Sequence, residues 1–196
     1  MRSLLTVYGS PTPPGKLARA LGAVEEHAAR LDGWRVDRLS PASPTAWPED
    51  AADRVRSATG LVIASPVFRA SFPATLKQLF DQLPVEALRS RPVALLTVAA
   101  APEHALAAER HLRDVLAWFG ALTAPNALFL VDRLLAGPEL DEQVRADLAA
   151  LAEQVVALSA LPQADRLGPA PLAARRAPGA GVPPRPHPEP RKDPTP

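Results

Sequence analysis

The chain contains no cysteine. Disulfides, thiolate nucleophiles and cysteine-based metal sites are excluded, and the composition fits a reducing compartment, so a cytoplasmic protein is expected. No uninterrupted apolar stretch approaches the ~20 residues of a membrane span, and none is expected. The opening residues, Met1 to Ser10, lack a long apolar segment with a small-residue cleavage site; they read as a first strand rather than a signal peptide. An excess of one charge is missing too. The 22 Lys/Arg and 21 Asp/Glu leave a formal net charge of +1, which gives no reason to expect a nucleic-acid partner. No Ser-His-Asp set and no catalytic pair of carboxylates can be assembled.

What is present is enough for one sizeable core: 196 residues, 47% of them hydrophobic. Short apolar runs alternate with segments of helical periodicity. Strands are expected at Leu4–Tyr8, Trp34–Leu39, Leu61–Ala64, Val93–Ala99 and Leu128–Val131. Helices are expected over Lys16–Leu31, Asp50–Thr59, Pro73–Leu83, Pro102–Phe119 and Glu139–Leu161, with Ser71 a possible cap for the third. Trp34–Leu39 alternates apolar and charged residues, as an edge strand does. The other strands are almost continuously apolar, which argues for a parallel sheet covered on both faces. The fold class expected is therefore α/β, a flavodoxin-like three-layer sandwich around a five-stranded parallel sheet in the order 2-1-3-4-5. Residues 1–161 would form this domain. From Pro162 onward, 11 of the 24 prolines, six Lys/Arg and three Asp/Glu make a Pro/Arg-rich tail that is predicted disordered.

In open α/β sheets ligands bind beyond the strands' carboxyl ends, at the switch between the first and third strands. The loop after the first strand is Gly9 to Gly15. It is not a Walker A motif: Pro14 stands where Gly-Lys would begin, Gly15-Lys16 come one residue late, and Leu17 replaces the magnesium-binding hydroxyl. It is not Gly-x-Gly-x-x-Gly either. It remains either a phosphate loop, with Ser10, Thr12 and Lys16 as donors at a helix N-terminus, or a proline-stiffened connection. The loop after the third strand, Ser65 to Phe72, offers Pro66, Val67 and Phe68 to a flat ring and Arg69 to a phosphate; the plainer role is covering the core. Ala99 to His104, after the fourth strand, would border the same crevice. His104 and His111 lie seven apart on one expected helical face, but without a third ligand a surface or capping role is the commoner one. Lys77 and Asp81 suit a structural ion pair, and Glu25 and Glu26 a solvated face.

Gly9-Ser10-Pro11, and Ser65-Pro66-Val67-Phe68-Arg69-Ala70-Ser71 followed by Leu76-Lys77-Gln78-Leu79-Phe80-Asp81, resemble the NAD(P)H-dependent FMN reductases. The likeness covers about residues 1–160 and is strongest to reductases that feed reduced flavin to two-component alkanesulfonate monooxygenases. His104 and Leu112-Arg113-x-x-Leu116 resemble that family's fourth helix. The resemblance implies hydride transfer from NAD(P)H to N5 of FMN, a partner monooxygenase, and a homodimer or homotetramer packed through helices next to the flavin crevice; helix 73–83 and Trp118-Phe119 are candidates for that surface and equally for the core. It implies that Ser10, Thr12, Gly15 and Lys16 hold the phosphate, that Pro66, Val67, Phe68 and Arg69 contact the ring, and that Ala99, Ala100 and Ala101 border it. The chain departs from the family pattern in three places. Thr12, Gly15, Lys16 and Leu17 replace an arginine and several serines, Phe68 replaces a tyrosine, and Ala99-Ala100 replace a glycine pair. His111 lies near where some members insert a tyrosine. The other classes open to such a chain are a flavin-dependent quinone or small-acceptor reductase and a non-catalytic flavodoxin-like binding module.

Overall fold

The computed structural model describes residues 1–161. The domain boundary expected at 161 and the tail beyond it lie outside the described residues. The elements run β1 (Arg2–Tyr8), α1 (Lys16–Ala28), β2 (Trp34–Leu39), α2 (Ala51–Ser57), β3 (Gly60–Pro66), α3 (Ala74–Gln82), β4 (Pro92–Ala99), α4 (Ala107–Phe119), β5 (Leu122–Thr123), β6 (Leu128–Val131) and α5 (Glu142–Ser159), with 3₁₀ turns at Pro102–His104 and Asp132–Leu135. All strand pairs are parallel and the order is β2-β1-β3-β4-β5, as the alternation of strands and helices implies.

Side-chain alternation along the strands fills two cores. Leu4, Tyr8, Val62, Ala64, Ala94 and Leu96 point to one face, where α1 and α5 cover them with Leu21, Val24, Leu148 and Leu151. Leu5, Val7, Leu61, Ile63, Val93 and Leu95 point to the other, under Val55 of α2, Leu76, Leu79 and Phe80 of α3, and Leu112, Leu116 and Phe119 of α4. Burying both faces is what makes β3 and β4 read as unbroken apolar runs. Among the described residues no helix is long and apolar enough to cross a membrane.

The structure corrects several expectations. The fifth strand position is split: β5 pairs with Pro92–Val93 and β6 with Leu96–Ala99, so two short strands share one edge of β4. Pro125 lies between them and cannot extend a ladder. Arg113 instead donates to the Ala124 and Pro125 carbonyls, each at 3.0 Å, and to Glu109 at 2.8 Å. β3 does not stop at Ser65-Pro66; both residues pair with β4, opposite Thr97 and Val98.

The helix expected from Pro102 is broken. Ala105 is extended and Leu106 is left-handed, at φ 65°, so α4 begins only at Ala107. The rotation of α4 is fixed by burying Ala108, Leu112, Leu116 and Phe119, and Leu106 is left 55% exposed. His104 therefore does not share a helix with His111. The first and second helices end earlier than expected, at Ala28 and Ser57. The last starts at Glu142, where Asp141 caps it by accepting the Gln143 N–H at 2.9 Å.

Candidate functional site

The carboxyl ends of β1, β3 and β4 open onto a groove of 420 Å³. Its walls are built as follows. Tyr8, the last residue of β1, donates its hydroxyl to the Thr12 and Pro13 carbonyls, both at 3.2 Å, and so fastens the first loop. Ser10 is buried, and its hydroxyl lies 2.8 Å from that of Thr12. Gly15 precedes the first turn of α1, where among the described residues no side chain caps the free N–H groups. A Cβ on Gly15 would meet nothing nearer than the Pro13 carbonyl oxygen at 4.0 Å, so this helix end is open to a ligand.

The opposite wall comes from the segment after β3. The Val67 N–H donates to the Val98 carbonyl at 2.8 Å, tying this loop to the end of β4. Phe68 and Ser71 then exchange both backbone hydrogen bonds, at 2.7 and 3.0 Å, across a two-residue turn. Both central residues, Arg69 and Ala70, have positive φ, 51° and 61°. This is a tight hairpin turn of the type that favours Asn-Gly, and Arg-Ala adopts it under strain. Strain of this kind concentrates at ligand-binding segments. Ser71 does not cap α3, which has no side-chain cap; its hydroxyl meets His111 Nδ1 of α4 at 2.8 Å, holding the hairpin against α4.

The groove gathers Ser10, Thr12, Gly15, Lys16, Pro66, Val67, Phe68, Ala99 and Ala100. It does not take in Arg69, exposed at the hairpin tip, or Ala101, which leads into the Pro102 turn. Tyr8, Pro13, Val98 and Asp132 line it as well and were not foreseen. Asp132 was legible by the same rule that picked the others, since it directly follows a strand's carboxyl end. Its Oδ2 accepts from Lys16 Nζ at 3.0 Å. The Lys77–Asp81 ion pair forms as expected on the outer surface of α3.

Residues 2–134 match the family described as NADPH-dependent FMN reductase. The chain belongs to that family. A Pseudomonas fluorescens NADH-dependent FMN reductase, SfnF, is 30% identical over 145 residues, covering 74% of this chain and 70% of the relative. The Escherichia coli FMN reductase (NADPH) is 28% identical over 141 residues, 66% of this chain and 73% of the relative. A Pseudomonas aeruginosa FMN reductase (NADPH) is 39% identical over 77 residues, spanning 39% of this chain and 41% of that relative's length. Among solved structures, the apo NADH:FMN oxidoreductase EmoB superposes with a TM-score of 0.70 at 24% identity, covering 84% of this chain and 94% of that one. At that identity the likeness speaks for the fold.

The groove fits a flavin mononucleotide by its own features. Its volume is that of a small-molecule site. One end carries an uncapped helix N-terminus, hydroxyls and a lysine, which suit a phosphate; the rest of the wall is apolar and suits a ring. Alanine in place of the family's glycine pair is compatible with the backbone, because neither Ala99 nor Ala100 takes a positive φ.

Proposed function

We propose that this protein is an NAD(P)H-dependent FMN reductase that hands its reduced flavin to a partner monooxygenase. The observation that carries the reading is the groove itself. An open helix N-terminus and an apolar wall meet at the carboxyl ends of β1, β3 and β4, in a chain of the FMN reductase family. Bound flavin supplies the chemistry, accepting a hydride from NAD(P)H at N5. The chain's own residues bind and orient. Ser10, Thr12, the Gly15–Lys16 backbone and the Lys16 ammonium hold the phosphate end. Pro66, Val67 and Phe68 lie along the ring, and Ala99 and Ala100 border it. Phe68 is 41% exposed, which leaves it available to a ring. No side-chain acid or base is needed for a hydride step, in keeping with the apolar wall.

Dependence on a reduced nicotinamide points to the cytoplasm. Release of the flavin agrees with a phosphate end that has one lysine where the family pattern has an arginine and several serines. The expected result is nicotinamide oxidation, followed by absorbance, that requires added FMN. Retention of FMN at nanomolar affinity in both redox states, by equilibrium dialysis, would argue against release. Tight yellow colour with turnover of quinones but not of free FMN would favour the small-acceptor reductase. Absence of any flavin binding would leave the non-catalytic module.

A homodimer or homotetramer is part of the proposal. Phe80, Leu83, Val85, Val115, Trp118 and Phe119, together with the charged Lys77, Asp81 and Asp114, line a second groove of 530 Å³ between α3 and α4. Its partly exposed apolar residues, Val85, Val115 and Trp118, support an interface there. Replacing Trp118 by glutamate is expected to shift the protein to monomer in light scattering with its circular dichroism unchanged. A wild-type protein that is itself monomeric would remove this part of the proposal.

A further inference from the structure

Among the described residues, the only charged side chains lining the groove are Lys16 and Asp132. Their ion pair joins residues 116 apart in sequence. Lys16 is the first residue of α1, so its ammonium and the free N–H groups of that helix end favour an anion at the same place. Asp132 reaches it from the other side of the sheet's carboxyl edge, immediately after β6. Its position is held: Arg19 of α1 donates to the carbonyls of Leu135, Gly137 and Pro138, which clamps the segment after Asp132 onto the same helix. Arg19 is thereby committed to backbone, and Arg133 is exposed and outside the groove lining. The phosphate end thus presents one cation already matched by one carboxylate, and its hydroxyls, Ser10 and Thr12, are paired with each other.

We propose that Asp132 is a specificity-determining residue of this groove. Its carboxylate neutralises the Lys16 anchor and repels a second anion, so the flavin's phosphate adds little to binding and FMN and riboflavin are held with similar affinity. The inference rests on the flavin reading of the site. On this reading most of the binding comes from the ring against the walls of β3 and β4. Both side chains of the pair are near half-exposed, 45% for Lys16 and 40% for Asp132, so the effect is moderate and sensitive to salt.

The test measures FMN and riboflavin dissociation constants by quenching of flavin fluorescence, for wild type and for Asp132→Asn. The expected result is FMN tightened about tenfold by the substitution, riboflavin unchanged, and the gain shrinking as sodium chloride is raised. An unchanged ratio of the two affinities, or weaker FMN binding in Asp132→Asn, overturns the inference while leaving the flavin site standing. No binding of either flavin by either protein overturns both. Should Asp132→Asn fail to fold, the pair is read from the other side. Lys16→Met is expected to weaken FMN alone, and Lys16→Met with Asp132→Asn to restore parity with riboflavin. A double variant as weak for FMN as the single one again overturns the inference.

Discussion

Gly9→Val is expected to destabilise the protein by about 3 kcal/mol and to abolish flavin binding. Gly9 is buried at the end of β1, and its N–H donates to the Ala64 carbonyl at 2.8 Å. A Cβ on Gly9 would lie 2.7 Å from that same carbonyl oxygen and 2.8 Å from Leu76 Cδ2. Leu76 is fully buried and has nowhere to move, and the carbonyl belongs to the Tyr8–Ala64 register between β1 and β3. Relief therefore comes only by opening the two strands whose ends frame the groove. The first loop would shift with them and carry Ser10 and Thr12 off the phosphate end. At ~2–4 °C per kcal/mol for a domain of this size, thermal unfolding should fall by about 6–12 °C. Gly15→Ala is the control, since its Cβ comes no nearer than 4.0 Å to the Pro13 carbonyl oxygen, and it should stay within about 1 kcal/mol of wild type. A Gly9→Val protein as stable as wild type would show that the strand ends are looser than the packing implies.

Glu25→Ala is expected to cost about 2–4 kcal/mol of stability, read from urea unfolding. Glu25 was expected on a solvated face of the first helix. Instead its carboxylate accepts two bonds from Arg38 of β2, from Nε at 2.7 Å and Nη2 at 2.6 Å, and a third from the hydroxyl of Thr6. Thr6 is fully buried in β1. Arg38 also donates to the Ala18 carbonyl at 3.3 Å, so the network staples α1 across β1 to the sheet edge. Bidentate geometry and partial burial set it apart from an exposed pair, which contributes ~0–1 kcal/mol. Removing the carboxylate leaves a half-buried guanidinium uncompensated and the Thr6 hydroxyl with only a long bond to the Asp37 carbonyl, at 3.3 Å. Glu26, its exposed neighbour, is the control, and Glu26→Ala should change stability by less than about 0.5 kcal/mol. Equal effects at both positions would mean the network contributes nothing measurable.

The two glutamates mark the boundary of what a sequence discloses. Side by side on one helix, they differ only in which face of α1 the sheet covers and in what Arg38 meets there. The helix register shows that Val24 and Ala28 are inward, but not that β2 brings a guanidinium to position 25. The same limit separates the site residues. Ser10, Lys16, Pro66, Phe68 and Ala99 were legible because each lies at a strand's carboxyl end or in the loop and helix start that follow it, a purely local pattern. Arg69 belonged to the same stretch and yet lies outside the groove, because the tight turn at Arg69-Ala70 swings its side chain to the tip. Asp132 and Tyr8 sit at strand ends by the same local pattern, but that Asp132 meets Lys16 is decided only by contact across the sheet.

The sequence by itself determined the alternation of strands and helices, the parallel sheet buried on both faces, and the edge at which a ligand must sit. Those follow from period-2 and period-3.6 apolar patterning and from where the prolines fall, which are properties of neighbouring residues. The family motif at Ser65–Ser71 was likewise a local string. Only the tertiary structure decided that the fifth strand is split at Pro125 and that α4 starts at Ala107 behind a left-handed Leu106. It also decided that Lys16 is matched by a carboxylate 116 residues away. The rotation of a helix about its axis and the partner of a charge are set by what the rest of the chain packs against them, and no window of sequence contains that information.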